Sequence, residues 1–273
     1  MSEIVLSNLV PFMLVAFRLA GLFIATPLMS STMVPLRLKP FIVLALAAAI
    51  YPLTPAWIPP ESMTIVSLVP MIVGETLIGF VIGLLASLPL VAAESCGIIV
   101  GQQMGFGLAK VYNPEYDAET DVLGQALFFV VFGAFLAMGG LESVFRSLVA
   151  TFDRIGPGGI SISQAPVETL VAVATSGLEL AMRMSLPVVA AILLLVVVFA
   201  VISKTMPAIN IMSVGFTVKV LAGLAVLTLA LPTIARVAGD ETGEVLKIVD
   251  GWARSLGTPV NNSAARPIER LGA

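Results

Sequence analysis

The sequence predicts an all-α, polytopic integral membrane protein, and three observations carry the prediction. Charged residues make up 11% of the 273 positions, where soluble domains carry about 25%. Mean hydropathy is +1.05, so a surface built from this chain cannot mostly face water. Charge-free runs recur at Leu19–Leu36, Pro40–Pro60, Thr76–Ala93, Val122–Leu141 and Met184–Ser203. Each is close to the roughly 20 residues that a helix needs to cross about 30 Å of hydrocarbon.

In chain order the reading gives about six hydrophobic segments, some of them Pro-broken helical hairpins. The first two, Leu9–Thr26 and Phe41–Ile58, are joined by a link that carries Arg37 and Lys39. Prolines in "YPLTPAWIPPES" forbid further helix, and Trp57 suits a membrane–water interface. Ile65–Gln103 is nearly twice a span, with Pro89 near its middle, and reads as two helices or a kinked hairpin. Val122–Leu141 is a span, followed by a polar connection containing "DRIGPGGISISQAP". Val167–Ser203 is long again and contains Glu179, Arg183 and Pro187; the last span is Val220–Ala235. Residues 1–235 are thus expected to form the membrane-embedded part. Beyond them, 236–273 should form an amphipathic helix, with Val245, Ile248, Val249, Trp252 and Leu256 on one stripe, and a flexible tail.

The same residues exclude several classes. "AAILLLVVVFAVIS" is apolar on every face, whereas a transmembrane β-strand alternates over about 10 residues. Nothing at the N-terminus reads as a cleavable signal, because Glu3 is acidic and Arg18 interrupts the apolar run. The net charge of −3 offers no basic stripe for nucleic acid. One cysteine, Cys96, permits no intramolecular disulfide, and histidine is absent. No phosphate-binding loop or nucleophile elbow appears. No enzymatic activity and no cofactor are expected. Basic residues at 37 and 39, 146 and 154, and 204 do not all fall on one side under simple alternation of spans, so some segments depart from straight crossings.

Four features are candidates for function. Small residues recur every fourth position at Gly79, Gly83 and Ser87, and again at Ala93, Gly97, Gly101 and Gly105, a spacing that lets helix backbones approach closely. This serves packing within the chain or within an assembly. Arg18, Glu75, Glu94, Lys204 and Lys219 lie inside apolar runs, where each costs about 2.5–3.5 kcal/mol at the bilayer centre unless paired or hydrated. Pairing of Arg18 with Glu75 or Glu94 is favoured over an ion pathway. Met104 stands where the glycine ladder ends, either as core filler or as a deformable seal. The stretch after it, "GFGLAKVYNPEYDAETD", opens with Gly105, Phe106 and Gly107. It continues through Lys110, Tyr112, Asn113, Pro114, Glu115 and Asp117, and sets one lysine against four acids. Such a backbone cannot lie in lipid; it is a surface loop or lines a wet cavity.

"FRLAGLFIATPLMSSTMVPLRLK", "GETLIGFVIGLLASLPLVAAESCGIIVGQQMGFGLA" and "LPVVAAILLLVVVFAVISKTMPAINIMSVGFTVKVLAG", in this order and spacing, resemble the FliR family of flagellar export-gate proteins. The likeness runs from about residue 10 to 235; the related injectisome subunits share it more loosely. The resemblance implies a non-enzymatic, channel-forming subunit of the flagellar type III export gate in the bacterial inner membrane. It also implies a helical hetero-oligomeric assembly with FliP and FliQ, with FlhB around it, FlhA nearby, and unfolded flagellar proteins as cargo. The stretch of about 105–120 would then plug the pore, with energy supplied from outside the chain. A virulence injectisome subunit is the near alternative. A small-solute or ion transporter with a midplane site is the distant one.

Overall fold

A computed structural model of the chain describes residues 2–26, 35–54, 65–107, 121–158, 167–205 and 211–256. Seven α-helices account for nearly all of these residues, and no strand occurs among them. They are α1 (Ser2–Ala25), α2 (Leu38–Ile50, continued by a 3-10 turn Tyr51–Leu53), α3 (Ile65–Met104) and α4 (Val122–Ala137). Then follow α5 (Gly140–Arg154), α6 (Val167–Thr205) and α7 (Ile211–Leu256). Among the described residues, four helices are long and apolar enough to cross a membrane, or up to five if the broken pair α4–α5 counts as one span.

Several expectations change. The chain does not turn at Pro89 or Pro187; α3 and α6 each run through their proline as one helix of 40 and 39 residues. At 1.5 Å per residue α3 is about 60 Å long, twice the hydrocarbon thickness. A proline deletes one backbone donor, whereas breaking the helix in apolar surroundings would orphan several polar groups, so continuity costs less. Val122–Leu141 is not one continuous helix but falls in a pair bent by 65°. Helix α4 stops at Ala137, with Gly139 at φ +73°, and Gly139 N–H returns to the Leu136 carbonyl. The polar connection after it is itself mostly helix. α2, of 13 residues, is too short to cross alone. Helix α7 passes through Ala235–Arg236 without a break, so the expected tail helix continues the last span.

The contacts divide the chain into two compact units, with α3 passing from one to the other at Ser87–Leu88. The first contains residues 1–87, 141–170 and 244–273. Here α2 returns beside α1: Tyr51 donates to Asn8 Oδ1 at 3.4 Å, and its ring meets Phe12 edge-on at 5.9 Å. Helices α1 and α3 then run parallel in direct backbone contact. A Cβ on Gly79 would land on the Arg18 carbonyl, one on Gly83 on the Leu22 carbonyl, and one on Gly21 on the Thr76 carbonyl. Glycine is required at each place, since no side chain fits between the backbones. Helix α5 adds its apolar stripe, Val144, Leu148 and Phe152, all buried, while Glu142 and Arg146 stay exposed as an i,i+4 pair at 2.6 Å.

The second unit holds residues 88–140 and 171–243. In it, the last turns of α3 pack antiparallel on α4: a Cβ on Gly97 would come within 2.5 Å of Gly124 Cα. Met138 at the end of α4 lies against Gly239 of α7, and Leu88 against Gly177 of α6.

Candidate functional site

Two places gather the residues singled out above, one in each unit. In the first unit, Arg18 and Glu75 lie 0% and 1% exposed on the facing sides of α1 and α3. Each of the three guanidinium nitrogens donates a hydrogen bond. Nε donates to Glu75 Oε2 at 2.5 Å, Nη1 to Thr151 Oγ1 at 3.0 Å and Nη2 to the Ile155 carbonyl at 3.1 Å. Its carbon sits 3.9 Å from the centre of the Phe152 ring, a cation–π arrangement that favours the charge where water is excluded. The other Glu75 oxygen accepts from Gly158 N–H at 2.7 Å. Gly158, at φ +79°, is wedged toward Met71 and Leu14, so a side chain there would be both strained and crowded. Among the described residues, no buried side-chain polar atom lacks a partner. A buried charge is tolerable only under such complete satisfaction. The Arg18 charge also meets the C-terminal end of α5, where the helix dipole favours a cation.

The node therefore ties α1, α3, α5 and the turn after α5. Sequence reasoning missed its α5 side: Thr151, Phe152, Ile155 and Gly158. The signal was present in the spacing of Val144, Leu148 and Phe152 by four, with charges between them.

The remaining ionisable candidates do not join it. Lys204 is exposed, not buried. It closes the charge-free run that Arg183 opens, so it stands at the edge of a span-length segment, where a lysine reaches water. Lys219 is half-buried for the same kind of reason, at the start of the charge-free stretch of α7. Glu94 is half-buried; its stem lies against Gly124 in the first turn of α4, where the dipole favours an acid.

The second place is the junction that bounds the acidic stretch. Helix α3 ends on Gly105 at φ +99°, and two hydrogen bonds close it: Phe106 N–H to the Gly101 carbonyl at 3.0 Å, and Gly105 N–H to the Gln102 carbonyl at 3.1 Å. This pair of bonds is the Schellman stop, which needs a left-handed residue. Met104 is fully buried, packed on Gly223 of α7, and Gly105 faces the Phe216 ring. Within this chain Met104 is thus a packing residue that anchors the helix end, because the space a side chain at 223 would fill is taken by its thioether. Among the described residues, nothing lies within 4 Å of where a Cβ on Gly107 would stand. On the return side, Asp121 precedes α4, and a Cβ on Gly101 would sit 3.1 Å from its Oδ1. The described residues that flank 108–120 therefore both lie by the last turns of α3, Gly105 closing the helix and Asp121 beside Gly101. Lys110, Tyr112, Asn113, Pro114, Glu115 and Asp117 lie outside the described residues.

Comparison with known proteins covers both places. The family model for bacterial export proteins, family 1, matches residues 9–245. The chain belongs to this family. Among members of this export family, the flagellar biosynthetic protein FliR of Aquifex aeolicus is 25% identical over 256 residues, covering 92% of this chain and 96% of its own. FliR of Caulobacter vibrioides is 26% identical over 238 residues, 86% of this chain and 94% of its own. The Yop proteins translocation protein T of Yersinia pestis is 27% identical over 231 residues, 80% and 84% of the two chains. With several span-length apolar helices, this family member is a membrane-embedded export component.

Proposed function

We propose that the chain is a non-enzymatic, channel-forming subunit of the flagellar type III protein export gate, and that the stretch of about 105–120 obstructs its pore. The observation that carries the reading is the junction at the end of α3. Met104, Gly105, Gly101 and Asp121 bring both ends of an acidic, glycine-started segment to one point in an otherwise apolar helical unit. The acids of the segment require water, which a bilayer interior supplies only in a lumen.

The relatives named FliR support the flagellar export apparatus; the bacterial inner membrane, the basal body, FliP and FliQ as direct partners, FlhB around them and FlhA nearby are part of the proposal and follow from the family resemblance alone. Unfolded flagellar subunits are the cargo. The driving energy comes from other components, since the sequence offers no nucleotide-binding loop. A second reading, an injectisome gate subunit, is favoured by one observation: the Yop translocation relative is about as similar as the flagellar ones.

The test is to delete 109–120, co-express the chain with its gate partners, and compare membrane permeability to small solutes with the intact complex. An assembled complex that leaks only after the deletion is expected. An assembled complex that stays tight rejects the plug. Swimming in soft agar after chromosomal deletion of the gene separates the two systems: a motile deletion strain rejects the flagellar reading.

A further inference from the structure

Helices α6 and α7 enclose a groove of about 320 Å³ in the second unit, lined by Met184, Pro187, Val226, Ala230, Ile234 and Val237. At one end of it stands Arg183, with Nη2 2.6 Å from Glu179 Oε1 and Nη1 4.0 Å from Glu241 Oε1. The groove is open, since Leu229 on its wall is 80% exposed. Its depth in the membrane follows from sequence. Arg183 and Lys204 bracket 20 charge-free residues of α6, about 30 Å of helix, so Arg183 lies at one edge of the hydrocarbon. The apolar part of the groove runs from that edge inward. An apolar trough that starts at headgroup depth under a charged lip has the shape of a site for one acyl chain and its headgroup.

The charges on the lip select the headgroup. One guanidinium stands against two carboxylates, so an anionic lipid would meet a net negative lip. A headgroup with a phosphate and a primary ammonium satisfies both signs: the phosphate on Arg183, the ammonium on Glu179 and Glu241. We infer that the α6–α7 groove is a binding site for a zwitterionic aminophospholipid of the phosphatidylethanolamine class. The inference rests on the chain's place in a bilayer and not on the plug.

The full-length chain, reconstituted in nanodiscs of equal palmitoyl-oleoyl phosphatidylethanolamine and phosphatidylglycerol, is released and its retained lipid read by native mass spectrometry. Phosphatidylethanolamine should be retained about tenfold over phosphatidylglycerol, the size of one charge-assisted hydrogen bond. Glu179→Gln with Glu241→Gln should abolish that preference, and Ala230→Trp, which fills the trough, should remove both lipids. Because Glu179 and Arg183 are exposed, variants there are expected to fold, and circular dichroism checks this. Equal or better retention of phosphatidylglycerol, lost in Arg183→Gln, would show a plain phosphate site and overturn the ammonium assignment. Retention unchanged by Ala230→Trp places the lipid elsewhere. No retention at all, with the groove protected only after co-expression with gate partners, makes it a helix-docking surface instead.

Discussion

Replacing Glu75 by alanine removes the acceptor that holds Arg18 Nε at 2.5 Å and Gly158 N–H at 2.7 Å. The guanidinium, 0% exposed, keeps only two neutral acceptors, Thr151 Oγ1 and the Ile155 carbonyl. Breaking a buried pair from one side costs about 3–5 kcal/mol, and an orphaned buried N–H costs about 1–3 kcal/mol. The two overlap, so a loss of about 4 kcal/mol is expected, roughly a thousandfold in the unfolding equilibrium. Arg18→Met alone should lose a similar amount, since it strands the carboxylate. The double variant Arg18→Met/Glu75→Leu removes both charges and keeps the volume; it still leaves Gly158 N–H without its acceptor, so it should recover most of the loss and lie about 1–2 kcal/mol below the parent. Unfolding of the purified full chain in mixed micelles by rising SDS, followed by far-UV circular dichroism, gives the three values. Singles that unfold within about 1 kcal/mol of the parent, or a double variant as weak as the sum of the singles, would show that the node does not form as described.

The glycines give sharper contrasts than their spacing suggests. Gly79→Ala places a methyl on the Arg18 carbonyl and should cost about 3 kcal/mol or prevent folding, while Gly133→Ala, with open space around it, should gain up to about 1 kcal/mol from helix propensity; the same SDS titration reads both. Gly105→Ala should cost about 1–2 kcal/mol through its left-handed backbone. It should also raise permeability less than deletion of 109–120 does, because the junction is strained but kept.

The helical class was legible because in lipid the helix is what composition and length permit. The faces of Gly79, Gly83 and Gly97 were legible because the fourfold spacing needs no knowledge of the partner, but Gly21 and Gly124 were visible only once α1 and α4 met them. Proline misled at 89 and 187. Sequence reading weighs the lost hydrogen bond and cannot weigh the neighbouring helices that keep the rest of the backbone worth pairing. Lys204 and Arg18 look alike in sequence, one cation in an apolar run each. Their fates differ because Lys204 ends a run of span length and Arg18 interrupts one, a distinction that run length carries. Helix α5 reads as a polar connection in sequence because its composition is mixed, although its apolar residues Val144, Leu148 and Phe152 are regularly spaced.

In the first unit, packing alone leaves the α1–α3 contact degenerate. Inside a bilayer the apolar faces of two helices gain little by meeting each other rather than lipid, so close backbone contact carries the association. That contact repeats every four residues, with Arg18 over Gly79 and Leu22 over Gly83. A slip of one turn, about 6 Å along the axis, would set another small-residue contact in place of the first. It would also part Arg18 from Glu75 and from the α5 groups Thr151 and Ile155. A buried charge left without partners costs several kcal/mol, more than the slip could recover by repacking. The ion pair therefore selects one register among near-equal packings, a role in which its net contribution to stability can be small. That is why the double variant is expected to regain stability: what it loses is the element that tells one register from the next.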